Sequence, residues 1–401
     1  MAKPEPNQNT VVVPAGIDPG KSYSCVRSLS RAGLDTIVAS EYDDLPAAAS
    51  RSCDESISIP PISADLEAYK DALVGIAARP DVDTILPIRP QDPYVFAKYR
   101  SEFEQYVDLV VPSFDTLRLC HDRLRLAEAA REAGVPTAET RLLGDVDDWD
   151  SDLIIKARYN LLADEYLGQD TSVIPGTVKT VEFVRDGTVP DTDAIREAMY
   201  HEPVVQEYIH SAGKYVFGAL YDHGDALATF QHRQIRGDSY THGGGVYRKS
   251  VDIPQLESTG RALLDSLEWH GLACIEYMED ARTGEFKFIE INPRLWQSTN
   301  CAIQAGADFP VYYWLQSQGR SDEIDSDYET GVGTHTLYGE MKYFRSLFQE
   351  ESPFVERPSP PVELLKILAS FAETPNFDDF HADDPLPAVV GVKRLVESQL
   401  L

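Results

Sequence analysis

The stretch Leu272–Ser298, LACIEYMEDARTGEFKFIEINPRLWQS, decides how the rest of the chain is read. It has the pattern of a β-hairpin, with an apolar run near Leu272–Met278, a polar turn over Asp280–Glu285 containing Gly284, and a second run near Phe286–Asn292. With the turn centred on Thr283, Glu276 falls directly across from Glu290, and period-two alternation puts Asn292 on the same face. Cross-strand Cβ atoms stand roughly 4.5 to 5.5 Å apart, so the two carboxylates repel each other unless a cation lies between them. Mg²⁺ suits that place, because it takes hard oxygen ligands from one or two carboxylates and fills its other positions with water and nucleotide phosphates. Pro293 has no N–H and should end the ladder, releasing Arg294 toward phosphate or carboxylate oxygens. Ile289 and Ile291 are expected on the opposite face, in a core. A solvated surface hairpin is the plain alternative, and the interleaved apolar residues weigh against it.

At 401 residues the chain is long enough for two or three domains, and its 43% hydrophobic content is that of a globular protein. Acidic residues outnumber basic ones 66 to 36, for a formal charge of −30. They are spread along the chain, not gathered in a tail, which reads as solvation in high intracellular salt and a halophilic source. Such a field disfavours nucleic acid as a general partner but leaves room for a magnesium nucleotide in a locally basic cleft. The five cysteines, at 25, 53, 120, 274 and 301, have no C-x-x-C spacing and read as free thiols. The opening MAKPEPNQNT has no apolar targeting core and no run reaches the length of a membrane span, so a cytoplasmic protein without a membrane partner is expected. A homodimer is the default assembly.

Upstream, a strand at Val11–Val13 leads into AGIDPGKS, residues 15–22, and a helix over Ser24–Ala32, which is the context of a relaxed P-loop. Ala15 replaces the first glycine, Pro19 removes a donor from the cradle, and no later strand ends in a metal-binding Asp; an ordinary βα turn is the better reading. Strands at RAGLDTIVAS and Val82–Ile88 alternate with helices, as in a doubly wound parallel sheet ending near Pro112. A helix from Leu117 is closed by Gly134. In DLIIKARYN, residues 152–160, Lys156 lies within an apolar strand, where its charge is costly unless an anion meets it; the alternatives are a phosphate ligand and a snorkelling lysine. A loop spans Leu161–Thr180, with Gly168, Pro175 and Gly176, and a helix lies near Asp193–Tyr200. PVVQEYI, residues 203–209, turns polar at Gln206 and Glu207, like a segment joining two lobes. Two strands then meet at a turn over Asp222–Asp225, with His223 and Gly224 at its tip, and the second ends in the basic cluster His232, Arg233 and Arg236. Gly243–Gly245 suits close approach to a ligand, and a helix over Leu256–Trp269 leads to the hairpin. Residues 321–401, rich in Asp, Glu and Pro, carry no assignable chemistry.

Taken together, LIIKAR, VVQEYI, FQHRQIR followed by GGG, and IEY…FIEINPRLW resemble the ATP-grasp superfamily, especially its carboxylate-amine ligase-like members, over about Val11–Arg320. The resemblance implies an α/β protein: a Rossmann-like N-terminal domain over 1–117, then a two-lobed α+β ATP-grasp domain with its first lobe over 118–203 and its second, metal-bearing lobe over 204–320. Residues 321–401 would be an acidic helical extension. It further implies that Lys156 binds ATP phosphates, that the Glu207, Tyr208 and Ile209 backbone meets the adenine edge, and that Glu276, Glu290 and Asn292 hold Mg²⁺, with Mn²⁺ as a substitute. Arg294 would stabilise transferred phosphate or the intermediate, and Arg233 and Arg236 would hold phosphate or a substrate carboxylate. The chain departs from the pattern at Arg123, where an Asp-Lys pair often supplies a nucleotide lysine. It departs again after Lys156, where the loop has few glycines, and at Lys214, where many members place an acidic ribose ligand. The implied reaction activates a small-molecule carboxylate as an acylphosphate for attack by an amine. A thiol nucleophile, a bicarbonate acceptor and a non-catalytic ATP-binding regulator are the alternatives.

Overall fold

Four short strands, β1 (Thr10–Pro14), β2 (Asp35–Ser40), β3 (Glu55–Ser58) and β4 (Val82–Ile85), form an all-parallel sheet in the order β3-β2-β1-β4. The computed structural model that shows this describes residues 9–17, 20–167, 176, 181–241 and 243–400. Every residue of β1 is buried, which is why TVVVP carries no polar alternation: helices cover both faces of a parallel sheet. The chain order reverses at β1, and the C-terminal ends of β1 and β4 open beside that switch point. Lys21, the lysine of the P-loop reading, is buried and donates to the Ile88 carbonyl at 2.6 Å, tying the start of the following helix (Lys21–Arg31) to the end of β4. Asp18 and Pro19 of that segment lie outside the described residues.

The helix expected from Leu117 is two helices, Phe114–His121 and Arg123–Glu132. Asp122 breaks them apart, because its carboxylate accepts from the Leu124 and Arg125 amides as an N-cap and also pairs with Arg158 at 2.6 Å. A small antiparallel sheet follows, built from β5 (Thr140–Leu142), β6 (Leu153–Lys156), β7 (Val181–Val184) and β8 (Val204–Glu207) in the order β5-β8-β6-β7. Leu153 and Ile155 pack inward on Val184, Ile195 and Val205, so alternation turns Ile154 and Lys156 to the other face. Most of the loop expected over Leu161–Thr180, including Gly168 and Pro175, lies outside the described residues.

The largest sheet contains β9 (Ser211–Asp222), β10 (Asp225–Gly237), β11 (Gly245–Ser250), β12 (Gly271–Asp280), β13 (Phe286–Asn292) and β14 (Gly333–His335), in the order β13-β12-β9-β10-β11-β14. One face, with Phe217, Tyr221, Ile275 and Tyr277, packs on the helix Pro254–Ser266. On the other, Leu220, Phe230 and Leu272 pack under the N-terminal domain against Val11, Val13 and Tyr23. Following the same face along the strands leads from Leu220 to Lys214, from Phe230 to Gln234 and from Leu272 to Glu276 and Met278, where it emerges from beneath that domain.

Residues 321–401 are not a separate extension. β14 pairs with β11 as the sheet's last strand, and the run NFDDFHADD, residues 376–384, ties the parts of the molecule together. Asp378, 2% exposed, pairs with the fully buried Arg248 and accepts from Asn300 at 3.0 Å and Thr336 at 3.0 Å. Asp384 accepts from Ser50 at 2.6 Å and Tyr23 at 3.2 Å, and Asp383 pairs with Arg27 at 3.0 Å, all in the N-terminal domain. Removing one member of a buried ion pair strands the other charge, at a cost of about 3 to 5 kcal/mol. Asp378→Ala should lose about that much stability in urea unfolding, while the exposed Lys393–Asp44 pair, broken by Lys393→Ala, should cost under about 1 kcal/mol.

Candidate functional site

The β12–β13 pairing places Glu276 opposite Glu290 and Cys274 opposite Asn292, the register expected from the sequence. Between Glu276 and Tyr277 the register shifts, because Ile289 is an extra residue on β13. This bulge corrects one expectation. Phe288 and Ile291 go to the core with Tyr277 and Ile275, whereas Ile289, expected there with Ile291, lines the open cleft beside Glu290. The bulge lets a core strand present consecutive residues, Ile289 and Glu290, to one cavity.

Around the carboxylates, Asn292 Nδ2 donates to Glu290 Oε1 at 3.0 Å and Arg294 Nη2 donates to Asn292 Oδ1 at 3.1 Å. Arg294 is held by the loop that ends in Trp296, a buried indole seated against Gly218 of β9. A Cβ at position 218 would stand 2.6 Å from that ring, so only glycine admits it. From the opposite side Arg123 donates to the Ala157 carbonyl at 2.7 Å and to Glu290 Oε2 at 3.3 Å. Arg123, which the sequence marks only as a departure from a lysine pattern, thus joins the carboxylate pair to the strand end that carries Lys156.

The cleft between the small sheet and the large one has a volume of roughly 1010 Å³. Lys156, Ile154, Val181 and Phe183 form its roof, Lys214, Met278, Glu276 and Glu290 its floor, and Glu207, Tyr208 and Ile209 its back edge. Lys156 and Lys214 make no hydrogen bond or ion pair among the described residues. At the back edge the amides of Glu207 and Tyr208 donate to the carbonyls of Glu139 (3.1 Å) and Asp152 (3.0 Å). The Glu207 side chain is taken by Lys287 at 3.2 Å and by Arg282, so whatever Glu207 offers the cleft comes from its backbone.

Burial, reinforced by Arg123 beside it, lowers the Lys156 ammonium to about 8, and the facing Glu290 and Glu276 only partly restore it. Lys214 is likewise lowered by burial. Glu276 keeps solvent contact through the cleft but lies deep between the sheets; that desolvation, followed by the charge of Glu290, raises it to about 7. Desolvation pushes Glu290 the same way, but Arg123, the Asn292 amide and Lys156 outweigh it and hold Glu290 below its ordinary value. One carboxylate is therefore ionised, and its neighbour resists ionising because desolvation and the Glu290 charge outweigh Lys214, Arg294 and Lys156. The oxygens gathered here, those of Glu276 and Glu290 with Asn292 Oδ1 beside them, are a donor set whose chemistry fits a hard divalent cation such as Mg²⁺.

Two expected site residues line the same cleft at its margin, with their side chains engaged by the protein. On β10, Arg233 pairs in register with Tyr215, on the face away from the carboxylates; its guanidinium lies 5.7 Å from the Tyr215 ring and bonds the Ala212 carbonyl. Arg236 follows a register shift and is buried in an ion pair with Glu340 at 2.8 Å, beside Tyr247 and Tyr343. The residues that β10 does turn toward the carboxylate face are His232, whose Nε2 lies 2.6 Å from Ser298 Oγ, and Gln234, opposite Lys214. A further contributor had no signal in the sequence. Phe354, from the C-terminal region, stacks on Tyr208 at 4.1 Å between ring centroids and meets Phe183 edge-on at 6.0 Å, walling the cleft at its back edge. Pro353, next to it, accepts from Arg185 of the small lobe, while Glu350 accepts from Tyr240 of the large one at 2.7 Å.

No family model matches the chain, and no curated protein matches it. Solved structures do. The biotin carboxylase domain of Hydrogenobacter thermophilus 2-oxoglutarate carboxylase, in complex with MgADP, ADP and bicarbonate, superposes with a TM-score of 0.60 at 16% identity, over 81% of this chain and 73% of that one. L-amino acid ligase from Bacillus licheniformis gives 0.57 at 16% identity over 81% and 79%. N5-carboxyaminoimidazole synthetase from Staphylococcus aureus gives 0.56 at 14% over 81% and 80%. Rhizobium etli pyruvate carboxylase gives 0.59 at 18% identity over 81% of this chain, which spans only 30% of that longer one. The chain has the ATP-grasp fold.

The raised Glu276 sets a pH dependence for the cation. Below about pH 7 the folded protein holds a proton on Glu276 that an ion must displace, so Mg²⁺ affinity should fall by up to about tenfold per pH unit below 7 and level off above it. Calorimetric titrations across that range check this, and an affinity independent of pH would contradict it.

Proposed function

We propose that this protein is an ATP- and Mg²⁺-dependent carboxylate-amine ligase. The observation that carries the reading is the arrangement of charge in one cleft: the Lys156 ammonium, which makes no ion pair among the described residues, lies across from Glu276 and Glu290, of which Glu290 is paired with Arg123 at 3.3 Å and Glu276 with none of the described side chains. A magnesium nucleotide triphosphate complements both sides. The similar fold of a biotin carboxylase domain solved with MgADP and of an L-amino acid ligase supports the same choice of ligand.

In this reading the base lies at the back edge, against the backbone of Glu207 to Ile209 and the Phe183 ring, with Phe354 closing the side. Lys156 and Arg123 hold phosphate oxygens from the roof, and Lys214 takes a nucleotide oxygen where related enzymes use an acid. Glu276, Glu290 and Asn292 would hold the magnesium ion, whose chemistry is to neutralise charge building on the phosphate oxygens. Arg294 lies two residues beyond the end of the carboxylate ladder and supplies a planar, always-charged donor to the phosphoryl group in transit. A substrate carboxylate oxygen attacks the γ-phosphorus, the bond to the β-phosphate breaks, and ADP leaves. The amine then attacks the acyl carbon of the acylphosphate and expels inorganic phosphate, its proton passing to solvent.

The test is ADP release with Mg²⁺ at high salt across pooled carboxylates and pooled amines, with bicarbonate as a separate acceptor arm. Release that needs both pools supports the ligase; release with bicarbonate alone reassigns the acceptor, and saturable ATP binding without release makes the protein a regulator. Glu290→Ala should abolish turnover, and Lys156→Ala should lose nucleotide affinity by at least about tenfold, as for removal of one charge-assisted contact. Lys21→Ala should keep that affinity, and the reverse result for the two lysines would restore the P-loop.

A further inference from the structure

At the far end of β9 from the cleft, the turn into β10 brings Asp222 and His223 against His270, the residue before β12. Three ligand atoms, one from each side chain, lie within 4.8 Å of one another. His270 Nδ1 stands 3.3 Å from Asp222 Oδ1, and His223 Nε2 stands 3.9 Å from the same oxygen. Two donors bound at about 2.0 to 2.1 Å to a tetrahedral ion are about 3.4 Å apart, so the first pair already has ligand spacing and the second needs only a small rotation of an exposed ring. The His270 Nδ1 is shielded from solvent, and the Asp222 carboxylate is the group it faces.

The backbone holds these groups ready. His223 and Gly224 both have positive φ, 47° and 91°, as a tight turn between antiparallel strands requires. The Gly224 amide donates to the Trp269 carbonyl at 2.8 Å, pinning the turn to the segment that carries His270. The two imidazoles stack, 4.1 Å between centroids and 12° from parallel, and the exposed His223 ring must turn out of that stack to bring its in-plane lone pair to an ion that His270 and Asp222 face. The nearby cation, Arg100, is occupied by Glu104 at 2.7 Å and by the Val111 and Pro112 carbonyls.

We infer that Asp222, His223 and His270 form a binding site for a zinc-class divalent ion, with a fourth position open to water. Two imidazoles and one carboxylate select Zn²⁺, Co²⁺ or Ni²⁺ over Mg²⁺, which prefers oxygen alone. Asp222 lies eight steps along β9 from Lys214, roughly 26 Å of extended strand, so this site is independent of the carboxylate pair and of the reaction assigned to it. Its ion would staple the β9–β10 turn to the corner before β12, where Gly271 is pressed against the Val110 carbonyl of the N-terminal domain.

The experiment uses the full-length protein, stripped with chelator and then saturated with Mg²⁺, and measures Zn²⁺ by equilibrium dialysis alongside the thermal midpoint. Wild type should bind one Zn²⁺ that excess Mg²⁺ does not displace, with a raised midpoint, and Co²⁺ in its place should give the visible absorption of a tetrahedral nitrogen–oxygen site. The His223→Ala and His270→Ala variants should each lose at least about tenfold in Zn²⁺ affinity. His223 is 80% exposed, so its replacement tests ligation without threatening the fold. Glu276→Gln with Glu290→Gln should leave Zn²⁺ binding intact. Equal Zn²⁺ binding by wild type and the His223→Ala variant, or loss of Zn²⁺ in the cleft variant instead, would overturn the assignment.

Discussion

The repulsion between Glu276 and Glu290 organises this molecule. Two carboxylates fixed across a strand pair, deep between two sheets, are unfavourable unless positive charge is brought to them. The fold does so unequally. Arg123 and the Asn292 amide lower Glu290, and Glu276 is left raised to about 7, facing the cleft. Lys156 completes the asymmetry from the opposite sheet, kept well below its usual range by burial and by Arg123. Such a site sets a lysine on one wall of the cleft against carboxylates on the other, and a ligand carrying both signs of charge suits it.

The rest of the chain holds that arrangement in place. The face of the large sheet that carries Glu276 is the one buried beneath the N-terminal domain, so the carboxylate sits where a packed interface opens into solvent. Gly218 admits the Trp296 indole, and that ring anchors the loop from which Arg294 reaches back to Asn292. The C-terminal region then braces both: Asp378 grips Arg248 of β11 and Asn300 just past the Arg294 loop, while Asp383 and Asp384 grip the N-terminal domain. Part of the chain's large negative charge is thus internal scaffolding. No described helix is long and apolar enough to cross a membrane.

What the sequence made legible was local. Period-two alternation and a polar turn were enough to place Glu276 against Glu290, and a lysine interrupting LII was enough to single out Lys156. The Ile289 bulge was not legible, because an extra residue in a ladder leaves the apolar pattern on either side intact. Arg233 and Arg236 looked alike in a basic cluster, yet a register shift sends one over Tyr215 and the other into a buried pair with Glu340, more than a hundred residues on. The same long range hid residues 321–401, whose aspartates act through partners as distant as Arg27 and Arg248. Phe354 could not be foreseen for that reason either: nothing near it in the chain marks it as a wall of the cleft.

The measurement that bears most directly on the facing carboxylates is the affinity for ADP with and without Mg²⁺, in wild type and in Glu276→Gln, by titration calorimetry. If a cation between Glu276 and Glu290 joins the nucleotide to the floor of the cleft, Mg²⁺ should strengthen ADP binding in wild type, and that increment should vanish in the variant while metal-free ADP binding, held by Lys156 and the back edge, persists. An undiminished Mg²⁺ increment in Glu276→Gln would show that the two carboxylates face each other for some other reason.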